Sequence, residues 1–433
     1  MLFGICALGL LHGIVVGLLP GLGITSTLVM ASFFLYTLDP LWIILYYICV
    51  ITACQYFATI TSIYTGVPGE ISSVPSSTES LGFVTNGQRQ RVLNQSTIYS
   101  AVGFTVSLIL FMIFWNLLDD IAKSLTAVVQ LLLLSVAVIV TVFTRTNSKA
   151  INLLLIVLGL FVGSVGYSQF WQVNINTFGL EILEPGLPWQ GIILGLAFGE
   201  LLNARSNSIP VYLDQVRSTW NNTCRYFRRL WTHGMLGSVL GFVTGLIPGL
   251  SYVLSSNISY SASKWLSART RPGDSRAVIA SESANNAGIT AMLFPLFAWG
   301  LPITASESLI YNLVSMNTFD IKTLFLSNLS LIVSIAVAIN LICVMLCFTA
   351  ANQLVRINNI DKRWIIAIVC VLILLNLFIS TEYENPLLLI STFAIFFAMC
   401  RVFQSVNFIP LLFMVVLWPS IESTVFRFIN IFF

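Results

Sequence analysis

The residues best suited to chemistry follow breaks in apolar sequence. Gly17-Leu-Leu-Pro20-Gly21-Leu-Gly23 is followed by Thr25, Ser26 and Thr27, and Gly66-Val-Pro68-Gly69-Glu70 by Ser72, Ser73, Ser76, Ser77 and Thr78. Gly245-Leu-Ile-Pro248-Gly249-Leu-Ser251 is followed by Ser255 and Ser256, and Gly300-Leu-Pro302-Ile303 by Thr304, Ser306 and Ser308. Proline lacks an N–H and glycine a β-carbon, so together they end a helix and leave main-chain groups free to face a ligand. A half-helix beginning after such a break presents unpaired N–H groups and a partial positive charge. That is an anion site needing no basic side chain. Hydroxyls add donors for a carboxylate, or oxygens for Na⁺. The candidate substrate-binding residues are therefore Pro20, Gly21, Gly23, Thr25, Ser26, Pro68, Gly69, Ser72, Ser73, Pro248, Gly249, Ser251, Pro302 and Thr304. The bland alternative is that Ser and Thr simply pack closely between membrane helices. For Ser76, Ser77 and Thr78 a solvated loop is the favoured reading.

Glu282-Ser-Ala-Asn285-Asn286-Ala precedes the fourth break. An acid entering an apolar run is costly and usually functional, so Glu282, Asn285 and Asn286 are candidate ligands for a coupling ion, Na⁺ or H⁺. The competing reading is a helix start capped by Ser281 or Ser283. Glu70 and Glu307 also follow breaks and are further proton or cation candidates. No cofactor is expected. The two His, His12 and His233, exclude a His-rich metal site, and the eight Cys form no C-x-x-C. No G-x-G-D, H-E-x-x-H, G-x-S-x-G or G-x-x-x-x-G-K-[ST] arrangement occurs, so the chain is not expected to be an enzyme.

What positions these residues follows from composition. The chain has 433 residues, of which 57% are hydrophobic and only 9% charged, and its mean hydropathy is +0.91. Soluble domains carry roughly 25% charged residues. A cytosolic enzyme, a nucleic-acid binder and a disordered chain are excluded. The fold class expected is an all-α polytopic membrane protein in the lipid bilayer, with room for about 10–13 crossings at about 20 residues each plus loops. The first residues lack a basic n-region and an A-x-A site and are read as mature structure.

Treating 1–38 and 232–263 as re-entrant hairpins, and 41–84 and 277–316 as broken crossings, puts all 20 basic residues on one side except Lys123, Lys322 and Arg427. The positive-inside rule makes the rich side cytoplasmic. The breaks also repeat. Gly13, Gly17 and Pro20 recur at an offset of 228 as Gly241, Gly245 and Pro248, and Gly66 and Pro68 at 234 as Gly300 and Pro302. Two motifs repeated in register imply two halves, expected at 1–202 and 231–433, joined by an Arg-rich cytoplasmic linker at 203–230. Five crossings between the hairpins invert the second half. Two inverted-topology repeats, with re-entrant hairpins and broken helices at Pro-Gly motifs, are the architecture of secondary transporters.

At these residues the sequence resembles the large membrane subunit of the tripartite tricarboxylate transporters, the TctA family. The resemblance is carried by Gly17–Gly23, Val67-Pro68-Gly69-Glu70-Ile71-Ser72-Ser73, Gly245–Ser251, Glu282–Ala287 and Gly300-Leu301-Pro302. It departs from the family pattern where Ser281 stands for Pro, Ser283 for Ala and Ile303 for Gly, and in an altered stretch from Val74 to Asn86. The resemblance implies ion-gradient-driven uptake of citrate-like tricarboxylates or dicarboxylates across a bacterial-type inner membrane. It further implies a periplasmic substrate-binding protein and a small membrane subunit as partners. An uncoupled anion channel or facilitator is the alternative. No nucleic acid is expected as a partner.

Overall fold

The computed structural model describes the chain except residues 1, 20–22, 125–126, 144–146, 169, 204–219, 248–251, 269–270, 301, 316–319, 360–367, 369, 372–385 and 433. The described residues are mostly helical. The first part runs α1 (Leu2–Leu18), α2 (Ile24–Met30), α3 (Ser32–Leu35), α4 (Pro40–Thr65), a 3-10 turn (Ile71–Ser73), α5 (Val74–Ser80), α6 (Asn86–Ser124), α7 (Ala127–Phe143), α8 (Lys149–Gly163) and α9 (Trp189–Asn203). The second runs α10 (Trp220–Gly245), α11 (Tyr252–Ser267), α12 (Ser275–Trp299), α13 (Ala305–Ser315), α14 (Ile321–Ser327), α15 (Leu329–Leu354), α16 (Pro386–Val402) and α17 (Ile409–Phe432). Helix α10 begins inside the stretch read as a linker. A short antiparallel hairpin, Gly166–Ser168 with Val173–Ile175, interrupts the helices.

Among the described residues three helices are long and apolar enough to cross a membrane: Pro40–Thr65, Asn86–Leu117 and Leu329–Ile357. The bent pair Pro410–Pro419 and Ile421–Asn430 adds a fourth if it counts as one span. Helices α1, α8 and α16 are apolar but shorter. A helix shorter than the hydrocarbon core needs protein or water to cover its ends.

Two helices form the buried centre. Helix α4 is enclosed over nearly its whole length, and α12 is enclosed from Ala277 to Ala291. Each is gripped by a glycine-bearing partner in the same way. On α1, β-carbons placed on Gly9, Gly13 and Gly17 would lie 2.9, 2.5 and 2.5 Å from the carbonyl oxygens of Tyr46, Val50 and Cys54 on α4. On α10, β-carbons on Gly237, Gly241 and Gly245 would lie 2.2, 2.4 and 2.6 Å from those of Ala280, Ala284 and Gly288 on α12. The glycines are offset by 228 and their carbonyl partners by 234, the two offsets already seen in the sequence. Only hydrogen at these positions allows the backbones to approach so closely.

Both central helices end alike. Gly66 caps α4 at φ 73° and Gly300 caps α12 at φ 63°. This left-handed conformation suits glycine, and each glycine lies two residues before its proline.

A Gly241→Val variant is expected to lose about 1–3 kcal/mol through overpacking against a main-chain carbonyl that cannot rotate away. Melting in detergent should show it. Gly4→Ala is the control, since a β-carbon there meets nothing within 4 Å. Equal melting temperatures for the two variants would refute the close contact.

Candidate functional site

Helix α4 carries Gln55, Thr59 and Ser62 at spacings of four and three, so they share one face. On α12, Ser281 and Glu282 lie four and three residues before Asn285, so each neighbours Asn285 on the helix surface. All six are buried. Between them sit the 3-10 turn and α5, held by a reciprocal cap. The Glu70 carboxylate accepts from Ser72 N at 2.8 Å, and the Glu70 N–H donates to Ser73 Oγ at 3.3 Å. Proline at the start of α5 fits the first helical turn, where its missing N–H costs nothing.

Glu282 is the centre of this arrangement. Thr59 Oγ1 donates to its Oε2 at 2.6 Å, and the Ser76 hydroxyl donates to its Oε1. Beside it, Asn285 Nδ2 donates to Gln55 Oε1 at 2.7 Å, and Ser72 Oγ approaches the same oxygen at 2.8 Å. Gln55 Nε2 and Asn285 Oδ1 are buried without a hydrogen-bond partner. The ion pairs found among the described residues are Lys264 with Glu79 and Arg276 with Asp274, so none reaches Glu282. A carboxylate so placed holds a proton or calls for a cation, because an uncompensated buried charge costs several kcal/mol. Carboxylate, hydroxyl and amide oxygens suit a hard ion. Among the described residues no group of three His, Cys, Asp or Glu side chains could hold a metal.

Described residues in or beside three of the four breaks lie next to this centre. A β-carbon on Gly69 would lie 2.4 Å from Gly17 O, so the first and second are in contact. Thr61 Oγ1 ties them further by donating to Leu18 O at 3.1 Å. Helix α11, which follows the third break, reaches the second: Tyr252 OH donates to Glu70 Oε1 at 3.0 Å and Ser256 Oγ to Ser72 O at 2.8 Å. Helix α13, after the fourth break, packs higher on α4, where Tyr47 OH and Ser306 Oγ are 3.2 Å apart.

Gly69, Ser72, Ser73, Glu282 and Asn285 come together in one buried cluster, with Pro68 half-buried beside it. Asn286 is buried, but its Nδ2 donates back to the Glu282 carbonyl at 3.1 Å. Thr304 lies beside Ser306 at the start of α13, facing Tyr47 of α4, with Pro302 buried just before it. Gly23 is exposed and Thr25 half-buried, flanking the start of α2. Pro20, Gly21, Pro248, Gly249, Ser251 and the Ser26 side chain lie outside the described residues. Two readings change. Ser76 and Ser77 are buried in α5 rather than in a solvated loop. The helix carrying Glu282 starts at Ser275, capped by Asp274, so Glu282 is mid-helix and not at a cap.

Gln55 and Thr59 were missed. The available signal was Gln55 itself, an amide within an apolar run of more than twenty residues. Glu79 was also missed. It accepts from Lys264 Nζ at 2.8 Å, Tyr260 OH at 2.8 Å and Asp274 N at 2.7 Å, joining α5 to α11 and α12.

A family model described as "Tripartite tricarboxylate transporter TctA family" matches residues 3–413. The chain is 28% identical over 305 residues to "Uncharacterized 52.8 kDa protein in TAR-I ttuC' 3'region" of Agrobacterium vitis, an alignment covering 69% of this chain and 60% of that relative. No solved structure matches.

Proposed function

The chain belongs to the tripartite tricarboxylate transporter TctA family, and from that membership we propose that it is the large membrane subunit of a binding-protein-dependent carboxylate uptake system. In this reading it is a secondary active permease of the inner membrane, with two halves of inverted topology. A small citrate-like tricarboxylate or dicarboxylate is bound by main-chain N–H groups and hydroxyls at the breaks. Glu282 and Asn285, with Thr59, Ser76 and Gln55, take the coupling Na⁺ or H⁺. A small membrane subunit and a periplasmic substrate-binding protein complete the system.

The observation that carries this reading is Glu282. It is a fully buried acid whose hydroxyl donors come from the first half while it stands in the second. A cation there would be held by both halves, so its binding would depend on their relative position. That dependence is what coupling requires.

Uptake of labelled di- and tricarboxylates into proteoliposomes, with the binding protein and small subunit present, tests the function. Accumulation should follow an imposed Na⁺ or pH gradient and vanish when the gradient is collapsed. Uptake that equilibrates without regard to either gradient would favour an uncoupled facilitator. No uptake of any such acid would sink the proposal.

A further inference from the structure

Glu307 lies at the start of α13, apart from the Glu282 centre, and is fully buried. Its Oε2 is accounted for: Ile303 N donates to it at 2.8 Å and Thr304 N at 3.1 Å. The Glu307 N–H in turn donates to Thr304 Oγ1 at 3.2 Å. This is a capping box, and by itself it would be a structural feature. Its other oxygen, Oε1, is buried and has no partner, which a capping role does not explain.

Comparison with the first half shows what is missing. At an offset of 234, Thr304 corresponds to Glu70 and Glu307 to Ser73. The same cap therefore occurs in both halves with acid and hydroxyl interchanged. In the first half the second oxygen of the acid is satisfied from across the molecule by Tyr252 OH. The position equivalent to Tyr252, at an offset of 228, is Ile24. It is a buried hydrocarbon at the start of α2, the helix that packs on α13. It has no donor to offer, so Glu307 Oε1 stays open.

Three hydroxyls gather at the same helix start. Ser306 Oγ is 3.2 Å from both Thr304 Oγ1 and Tyr47 OH. Neither ion pair among the described residues involves Glu307. We propose that Glu307 Oε1, with the hydroxyls of Thr304, Ser306 and Tyr47, forms a second cation site that binds Na⁺. The donors are all oxygen, as a hard cation requires. One carboxylate is neutralised by one monovalent charge, whereas a divalent ion would leave a buried excess. The site stands apart from Glu282, and its test reads binding rather than transport. Its failure is therefore distinct from failure of the permease reading.

Equilibrium binding of ²²Na⁺ to the purified full-length protein, with choline chloride holding ionic strength constant, tests it. The wild type should bind one Na⁺ more than Glu307→Gln at saturation. Ser306→Ala, which leaves the capping box intact, should weaken that extra site about tenfold, the order expected for losing one polar ligand. Na⁺-dependent protection against thermal unfolding should fall in both variants. An unchanged number and affinity of Na⁺ ions in Glu307→Gln would overturn the proposal. If that variant fails to fold, unchanged Na⁺ affinity and protection in Ser306→Ala would overturn it.

Discussion

Glu282→Gln is expected to cut gradient-driven carboxylate uptake by about a hundredfold while leaving the protein folded. Glutamine keeps the volume and can still accept from Thr59 Oγ1 or Ser76 on its single carbonyl oxygen. What it loses is the negative charge and one of the two acceptor oxygens. Hydrogen bonds to a charged group contribute about 1.5–3 kcal/mol each, and a coupling cation would lose the Glu282 carboxylate. Two such contacts, weakened together, correspond to roughly two decades in ion affinity. Initial rates at saturating substrate, measured against Na⁺ or proton concentration, separate ion binding from substrate binding. Retention of full gradient-driven uptake by Glu282→Gln would remove this residue from the mechanism. Thr59→Ala should shift ion dependence in the same direction by a smaller factor, because it removes one donor and no charge.

The second large effect concerns stability. Lys264→Met should destabilise the folded protein by about 3 kcal/mol, the lower end expected for breaking a buried pair. The side chain of Glu79 is 1% exposed and that of Lys264 16%, so the lysine retains some access to solvent. Removing the lysine leaves the Glu79 carboxylate buried with only Tyr260 OH and Asp274 N as donors. The double variant Glu79→Gln/Lys264→Met removes both charges and should recover most of the loss. Thermal melting of the two variants in the same detergent checks the sign. A double variant as unstable as the single one would mean that the pair contributes through packing and not through charge.

The helical character of the chain and the ends of its two central helices were legible, the latter because they rest on backbone geometry that few residues allow. Gly66 and Gly300 were found as members of a repeated motif, and both cap a central helix in the left-handed conformation. Gly13 and Gly241 were matched by offset, and both lie against a carbonyl oxygen. Glu282 and Asn285 stood out because acids and amides are rare in apolar runs. The cluster around them was harder to read. Thr59 and Ser76 are ordinary residues whose role comes from a partner more than two hundred positions away. No local pattern marks such a contact. The same holds for Glu79, whose cation and donors come from residues 260 to 274. The small β-hairpin at 166–175 was hidden in a polar loop because its strands are only three residues long. The exchange of acid and hydroxyl between the two caps is present in the sequence at an offset of 234. It acquires meaning only once Glu70 is seen to be satisfied by Tyr252 and Glu307 is not.

The glycine contacts between α1 and α4, and between α10 and α12, bear on how the molecule can deform. Each pair interlocks at three successive turns, with main chain against main chain. Sliding one helix along its neighbour by one residue, about 1.5 Å, would drive side chains into those carbonyls. Shear within either pair is therefore blocked, and each behaves as a stiff two-rod beam. A displacement of one beam against the other would have to be taken up between them, along the seam of Thr59, Ser72, Ser76, Ser256 and Glu282. The contacts there are side-chain hydrogen bonds, which can be remade with other acceptors, whereas main chain pressed on main chain cannot be rearranged. Between these two beams, the polar seam is thus the contact that can yield, and the glycine contacts are the ones that cannot.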